Sequence, residues 1–316
     1  MVEPFPLLHV ALECDLAPPH RGMVAVIGNM DGVHLGHQVL IKAAKEAAGD
    51  RPLAAIVFEP HPRRVFQPDT PPFLLTDLET KASLLHAQGV TSVFALPFAE
   101  ALYKQSPEEF VGTTLHQRLG VAGIVTGTDF QFGAGRSGDA AALKALAEGH
   151  GMTAHAITPV PDPSGIKYSS STVRQALRDG DPATATLHLG RPWQVRGEVI
   201  EGRRLARTLN FPTANLLLSE YVRPQYGVYV IRAHTARGLI GGVANVGVRP
   251  TVDGAEERLE AHLFDFDEDL YGEHLHIDVL HFLRPEQKFD GLDALKAQIT
   301  KDGEAARAWL GANPTP

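Results

Sequence analysis

Gly28-Asn29-Met30-Asp31-Gly32-Val33-His34-Leu35-Gly36-His37 is the stretch on which the reading of this chain turns. Before it stands Val24-Ala25-Val26-Ile27, a short uninterrupted apolar run that reads as a buried strand. After it, Val39 to Ala48 sets Ala, Lys and Glu around periodic apolar residues and predicts a helix. A strand, a glycine-bearing turn and a helix start offer free backbone N–H groups and a positive dipole end to an anion. His34 and His37, at the mouth of that helix, project from nearly one face. Gly36 allows a bulky ligand to lie against the backbone between them. Two histidines at a helix start also fit a hydrogen-bonded cap or half of a metal site, although no third ligand at metal spacing stands nearby.

Outward from this stretch the same grammar repeats. Leu53 to Phe58 is a second strand candidate, stopped by the prolines of Glu59-Pro60-His61-Pro62-Arg63-Arg64, which hold His61 at its carboxyl end. Leu78 to Gln88 has helical spacing with a stop at Gly89. Val90 to Leu96 is a third strand, Pro107 to Leu119 a further helix and Val121 to Gly127 a fourth strand. Short apolar strands alternating with helices predict an α/β domain whose parallel sheet is covered on both faces. Ligands in such sheets sit at the carboxyl ends of the strands. There the fourth strand opens into a glycine-rich loop, Gly127 to Asp139, carrying Asp129, Phe130 and Phe132. Those rings suit a planar heterocycle, and the alternative is a flexible connection. Last in this half comes Tyr168-Ser169-Ser170-Ser171-Thr172-Val173-Arg174, whose hydroxyls and arginine suit a phosphate clamp, while capping alone explains one serine.

Three of these segments together resemble the HxGH nucleotidyltransferases, and in particular bacterial FAD synthetases. Residues 28–37 match the pattern G-x-F-D-G-V-H-x-G-H with Met30 for Phe; 127–133 match G-x-[ND]-F-x-F-G; 168–174 match I-S-S-T-x-x-R with Ser171 for Thr. The resemblance implies a Rossmann-like fold in which His34, His37 and Arg174 act on the reacting phosphates. It also implies that Gly28, Asn29, Asp31, Gly36, Ser170 and Ser171 bind ATP, and that His61, Asp129, Phe130 and Phe132 face the flavin.

From Trp193 the texture changes. Strand-like runs recur at 193–200, 227–233, 239–246, 259–266 and 275–283, and helical spacing returns only at Leu292 to Leu310. Clustered strands before one helix predict a small, mostly antiparallel β-barrel closed by a C-terminal helix. The densest motif runs from Gly202 to Asn215 and ends in Pro212-Thr213-Ala214-Asn215. Thr213 and Asn215 present hard oxygen ligands suited to Mg²⁺ carrying ATP phosphates, but Pro-Thr-Ala-Asn is also an ordinary surface turn. The whole segment resembles the riboflavin kinase signature, as do Gly242 to Thr251 and Glu260 to Phe266. That resemblance implies Gly202, Arg204, Thr213 and Asn215 on ATP, Gly247, Arg249 and Thr251 on the flavin, and Glu260 as the base for the acceptor hydroxyl. Glu260, His262 and Phe264 share a strand face, so a solvated face is the bland alternative.

The matches cover nearly all 316 residues in their expected order, which implies an adenylyltransferase domain over 1–186 and a riboflavin kinase domain over 187–316. Riboflavin, FMN and ATP are then the expected small-molecule partners, FAD the product and Mg²⁺ the cofactor. A net charge of −8 argues against a broad nucleic-acid footprint. The single cysteine, Cys14, and the absence of a membrane-length apolar run or signal pattern predict a soluble, cytoplasmic protein. Homo-oligomerisation is compatible with the sequence and not specified by it. Two rivals stay open: a related transferase acting on another phosphate acceptor, and a non-catalytic flavin-binding module.

Overall fold

The computed structural model describes residues 7–9, 21–201, 213–251 and 254–314; Cys14 and the kinase-motif residues Gly202 and Arg204 lie outside them. The chain forms two compact units, one of Met1–Thr70 with Leu78–Ser169, the other of Pro71–Asp77 with Ser170–Pro316.

The first unit is a parallel α/β sheet. Its strands are β1 (Leu7–His9), β2 (Val24–Ile27), β3 (Leu53–Glu59), β4 (Ser92–Pro97), β5 (Gly123–Gly127) and β6 (Thr153–Ile157), in spatial order β1-β4-β3-β2-β5-β6. Every pairing in it is parallel. Strand β2 is buried along its whole length, which its unbroken apolar run requires. One face packs on α1 (Leu35–Ala48) and α3 (Leu78–Ala87), with α2 (Pro62–Phe66) and α4 (Glu100–Tyr103) as short turns at strand ends. The other face packs on α5 (Ala140–Gly149) and the segment Glu109–Arg118. That segment, within the helix expected over Pro107 to Leu119, is wound as a π-helix. Gly112, Thr113 and Thr114 at its centre are weak α-helix formers, and His150 packs where a Gly112 β-carbon would stand, 2.8 Å from its Nε2.

The sheet's order reverses between β2 and β5: β3 and β4 build outward on one side of β2, β6 on the other. Loops leaving adjacent strands there diverge and open a crevice. The loops after β2, β3 and β5 are the ones the sequence motifs occupy.

The second unit is the expected antiparallel barrel. Strands β7 (Trp193–Glu198), β8 (Ala214–Leu217), β9 (Gly227–Thr235), β10 (Gly238–Thr251), β11 (Gly254–Leu263) and β12 (His274–Pro285) lie in the order β7-β12-β9-β10-β11-β8. Ile200, just past β7, bridges to Asn215 of β8 through its N–H at 2.9 Å from the Asn215 carbonyl, which nearly closes the sheet on itself. The interior holds alternate residues such as Val195, Leu216, Ile231, Ala244, Leu259 and Ile277. Helices α6 (Ser170–Arg178) and α7 (Pro182–Leu189) add Val173, Leu177 and Leu189 to this core. Helix α8 (Leu292–Ala312) packs outside, over Val230, Val243 and Phe264. The strap Pro71–Asp77 is stitched to the barrel by backbone bonds from Phe73 and Leu74 to Glu220 O (3.0 and 2.9 Å) and from Val222 to Leu74 O (2.8 Å).

Candidate functional site

At the switch point of the first unit lies a cleft of about 1140 Å³. Its floor is the signature loop, whose backbone is unusual: Met30, Gly32 and Val33 all take positive φ, at 49°, 81° and 43°. For a β-branched residue such as Val33 this is a strained conformation, held because the residue is 1% exposed and packed in the core. The strain turns the chain sharply enough to start α1 at once. His34 caps that helix: its Nδ1 accepts from the His37 N–H at 3.3 Å. A backbone N–H can only donate, so neutral His34 carries its proton on Nε2. The His34 and His37 rings stack at 3.6 Å with 20° between planes, fulfilling the single-face expectation. A β-carbon on Gly36 would stand 3.0 Å from His34 Cε1 and 3.2 Å from Tyr168 Cβ, so the bare backbone makes room for that ring as well as bordering the cleft. Gly28 and Asn29 line the cleft too, whereas Asp31 is buried beneath the loop.

The opposite wall is aromatic. Phe66 meets Phe98 at 5.6 Å and Tyr103 at 5.3 Å, and Phe58 meets Phe98 at 5.7 Å, all edge to face. Phe66 is 59% exposed, an open apolar ring at the cleft's edge. None of these four was singled out in the sequence. The available signal was an aromatic at the carboxyl end of a strand, as Phe58 is in β3 and Phe98 just after β4. Of the expected flavin residues, His61 caps α2 through Nδ1, which accepts from Arg63 N at 3.1 Å, and borders the cleft. Phe130 is half-buried there, and Asp129 pairs with Lys167 at 2.6 Å across the mouth. Phe132, 7% exposed, also borders the cleft and packs between Phe110 (5.6 Å) and Phe130, on which it stacks at 5.7 Å. Among the described residues no group of three or more His, Cys, Asp or Glu is arranged to hold a metal ion.

Ser170, Ser171 and Arg174 open α6 in the second unit. Arg174 is buried there, its Nε donating to Phe73 O of the strap at 2.7 Å and its guanidinium 5.4 Å from the Phe73 ring. The arginine expected on phosphate thus also anchors a segment a hundred residues upstream.

In the barrel the expected kinase residues meet by strand register. On the outer face Asn215 of β8 stands opposite Glu260 of β11, and Glu260 opposite Asn245 of β10. Glu260 receives Arg249 Nη2 at 2.7 Å, so the arginine expected on the flavin holds this carboxylate in place. Asn215 is 2% exposed; its Nδ2 donates to Thr213 O at 3.3 Å, and its Oδ1 has no hydrogen-bond partner among the described residues. Of Pro-Thr-Ala-Asn, readable as a surface turn, Ala214 and Asn215 open strand β8, with Thr213 just before it. Gly247 lies in β10 on the same face as Glu260, and Thr251 ends that strand. Nearby Tyr226 donates to Glu257; burial first, then that carboxylate, pushes the phenol up to about 12, leaving it a neutral donor.

Fold and site together define a two-part nucleotide-handling enzyme: a Rossmann-like nucleotidyltransferase unit followed by a small kinase-type barrel. The comparisons agree in both halves. The family model for FAD synthetase matches residues 16–172, and that for riboflavin kinase residues 189–310. A bifunctional riboflavin kinase/FMN adenylyltransferase of Pseudomonas fluorescens is 42% identical over 297 residues, covering 93% of this chain and 95% of the relative. The protein of the same name from Escherichia coli K12 is 39% identical over 296 residues, covering 93% and 94%. A solved structure described as a macrolide-efflux protein from Streptococcus pneumoniae superposes with a TM-score of 0.84 at 32% identity, over 96% of this chain and 99% of that one. Among the described residues no helix is long and apolar enough to cross a membrane. The chain belongs to the bifunctional riboflavin kinase/FMN adenylyltransferase family.

Proposed function

We propose that this chain phosphorylates riboflavin with ATP to FMN in its barrel, then adenylylates FMN with a second ATP to FAD and pyrophosphate in its α/β domain. Family membership across both halves supports the two activities together. The observation that carries the adenylyl reading is the stacked His34/His37 pair on the floor of a cleft with an aromatic far wall. We assign adenylyl transfer to residues 1–186 and the kinase to 187–316.

In the adenylyl step an FMN phosphate oxygen attacks the α-phosphorus and the bond to the bridging oxygen of pyrophosphate breaks; no protein nucleophile is required. The protein must align two polyanions and neutralise the leaving group. His34 Nε2 and His37 are suited to that, with helix-start amides beneath them. Two imidazolium charges 3.6 Å apart would repel each other, and a bound phosphate would offset that repulsion. By resemblance Gly28, Asn29, Gly36, Ser170, Ser171 and Arg174 complete the phosphate side. Phe66, Phe98 and Tyr103 join His61, Asp129 and Phe130 on the flavin side.

In the kinase step Glu260 takes the proton of the flavin's terminal hydroxyl as the γ-phosphoryl group transfers and ADP leaves. We assign Mg²⁺ to Thr213 and Asn215. The buried, unpartnered Oδ1 of Asn215 fits a hard oxygen ligand, and Mg²⁺ there would neutralise the ATP phosphates. The net charge supports small-molecule partners over nucleic acid, and we infer a cytoplasmic enzyme away from membranes.

The test is chromatography of flavins after incubating the protein with ATP and Mg²⁺, starting once from riboflavin and once from FMN. FMN then FAD from the first, and FAD from the second, support both sites. FMN alone removes the adenylyl assignment, and no conversion favours a binding module.

A further inference from the structure

The row that contains Glu260 continues past the strands. Asn245, opposite Glu260, points its Nδ2 at Oε1 of Glu286 (3.4 Å), the residue just beyond β12. Glu286 lies against the bare backbone of Gly247, where an added β-carbon would be 2.0 Å from its Oε1. Among the described residues Glu286 forms no ion pair, and the neighbouring Arg284 is committed to Asp302 at 2.7 Å. An exposed carboxylate seated by a glycine, with one long amide contact and no cation, lacks hydrogen-bond donors. At the other end of the row stands the buried, unpartnered Oδ1 of Asn215. Adjacent strands are about 4.8 Å apart, so the row from Asn215 to Asn245 spans about 10 Å.

We propose that Asn245 and Glu286 form the subsite for the secondary hydroxyls of the flavin's polyol side chain in the kinase reaction, making the barrel selective for a polyhydroxylated acceptor. The inference rests on Glu260 as the base, because that fixes where the terminal hydroxyl lies. The remaining hydroxyls of the same chain then run away from Glu260. On one side the row leads to Asn215 and the phosphate ligands; on the other it leads to Asn245 and Glu286. The acceptor's carbon chain takes the side without phosphate. There a carboxylate that only accepts and an amide that does both match hydroxyls that donate and accept. Glu286 makes its contact in ground state and transition state alike, so it contributes chiefly to KM.

The experiment uses the full chain with two acceptors: riboflavin, and the flavin whose side chain is a plain ω-hydroxypentyl group, which keeps the terminal hydroxyl and lacks the secondary ones. The wild type should favour riboflavin in kcat/KM. Glu286→Gln should raise the riboflavin KM about tenfold or more with kcat within about threefold, from the loss of charge-assisted hydrogen bonds. It should leave the hydroxypentyl flavin nearly unaffected, so the discrimination collapses. Asn245→Ser, a second variant on a different strand, should shift the same ratio. A thermal melt of each variant, followed through the barrel's own unfolding transition, reports whether that unit is folded, because FAD formation from supplied FMN reads only the α/β unit. Equal use of both acceptors by the wild type, or equal losses on both in Glu286→Gln, overturns the subsite while leaving the kinase reading standing. A wild type that makes no FMN removes the kinase reading itself and the subsite with it.

Discussion

His34 has two jobs that different substitutions separate. Its Nδ1 caps α1 by accepting from His37 N, while its Nε2 is the donor that the proposed function directs at phosphate. Its backbone, at φ −66° and ψ 168°, is an extended N-cap conformation that asparagine adopts readily. His34→Asn therefore keeps a cap acceptor and deletes the Nε2 donor, whereas His34→Ala deletes both. Both lose the ring stacked on His37, so that contribution cancels in their comparison. A lost cap costs about 1 kcal/mol, within roughly 0.5–2. In a unit of this size that is a melting-temperature difference of about 2–4 °C between the two variants. Removing one preorganised donor to developing phosphate charge costs about 10²–10³ in kcat. Both variants should lose that much in FAD formation from supplied FMN, and both should still convert riboflavin to FMN. Calorimetry and a flavin chromatography assay read the two effects independently. If His34→Asn makes FAD within tenfold of the wild type, the Nε2 donor plays no part. If the alanine and asparagine variants melt together, the cap is not worth what its geometry suggests.

Other positions yield sharp expectations. Glu260→Gln should lower FMN formation by about 10²–10⁴-fold and spare FAD synthesis from FMN; retained riboflavin phosphorylation would remove it as the base. Trp193, 1% exposed, donates from Nε1 to Leu75 O at 3.0 Å, so Trp193→Phe removes a buried hydrogen bond worth about 0.5–1.5 kcal/mol. A lowered melting temperature is expected, and an unchanged one would mean that the strap does not depend on this bond. On the outer face of β7, β12 and β9, His234 is raised by its hydrogen bond to Asp278 (2.9 Å) against partial burial, while His276 beside it is lowered by burial and by Arg196. The raised His234 stabilises fully below about pH 6.5 and loses its contribution as pH rises through its folded value. The lowered His276 does the reverse, contributing above about pH 6.5 and losing it as pH falls. In denaturant melts, His234→Gln should therefore destabilise more at pH 5.5 than at pH 8.5, and His276→Gln should destabilise less at the acidic pH. Curves displaced equally at both pH values would contradict the assigned signs.

What the sequence made legible, and what it hid, follows from how each site is assembled. In the α/β unit a site at a parallel sheet's switch point is built from loops that directly follow strands. Each piece therefore announces itself locally: strand, glycine turn, histidine pair, helix. Phe66 and Tyr103 escaped because each reaches the cleft from a short turn, α2 and α4, which no periodicity marks. The barrel site obeys a different rule. Glu260, Asn245 and Asn215 are alternate residues of three strands, and an outward polar residue every second position is the pattern of any half-exposed sheet. Only the register makes them one row, and register is a long-range property. Asn245 and Glu286 stand 41 residues apart in the chain, and Gly247 appears as a seat for a carboxylate only once that carboxylate is in view. The strap is more hidden still, because nothing local in Pro71–Asp77 tells that its carbonyls are reserved for Arg174 and Trp193. Arg174 sharpens the point. Its motif position speaks for phosphate, but its Nε bond is spent on Phe73, so substituting it removes a structural tie along with any charge. Arg174→Lys, which keeps the charge and loses the directed Nε donor, is consequently the informative replacement, and alanine the ambiguous one.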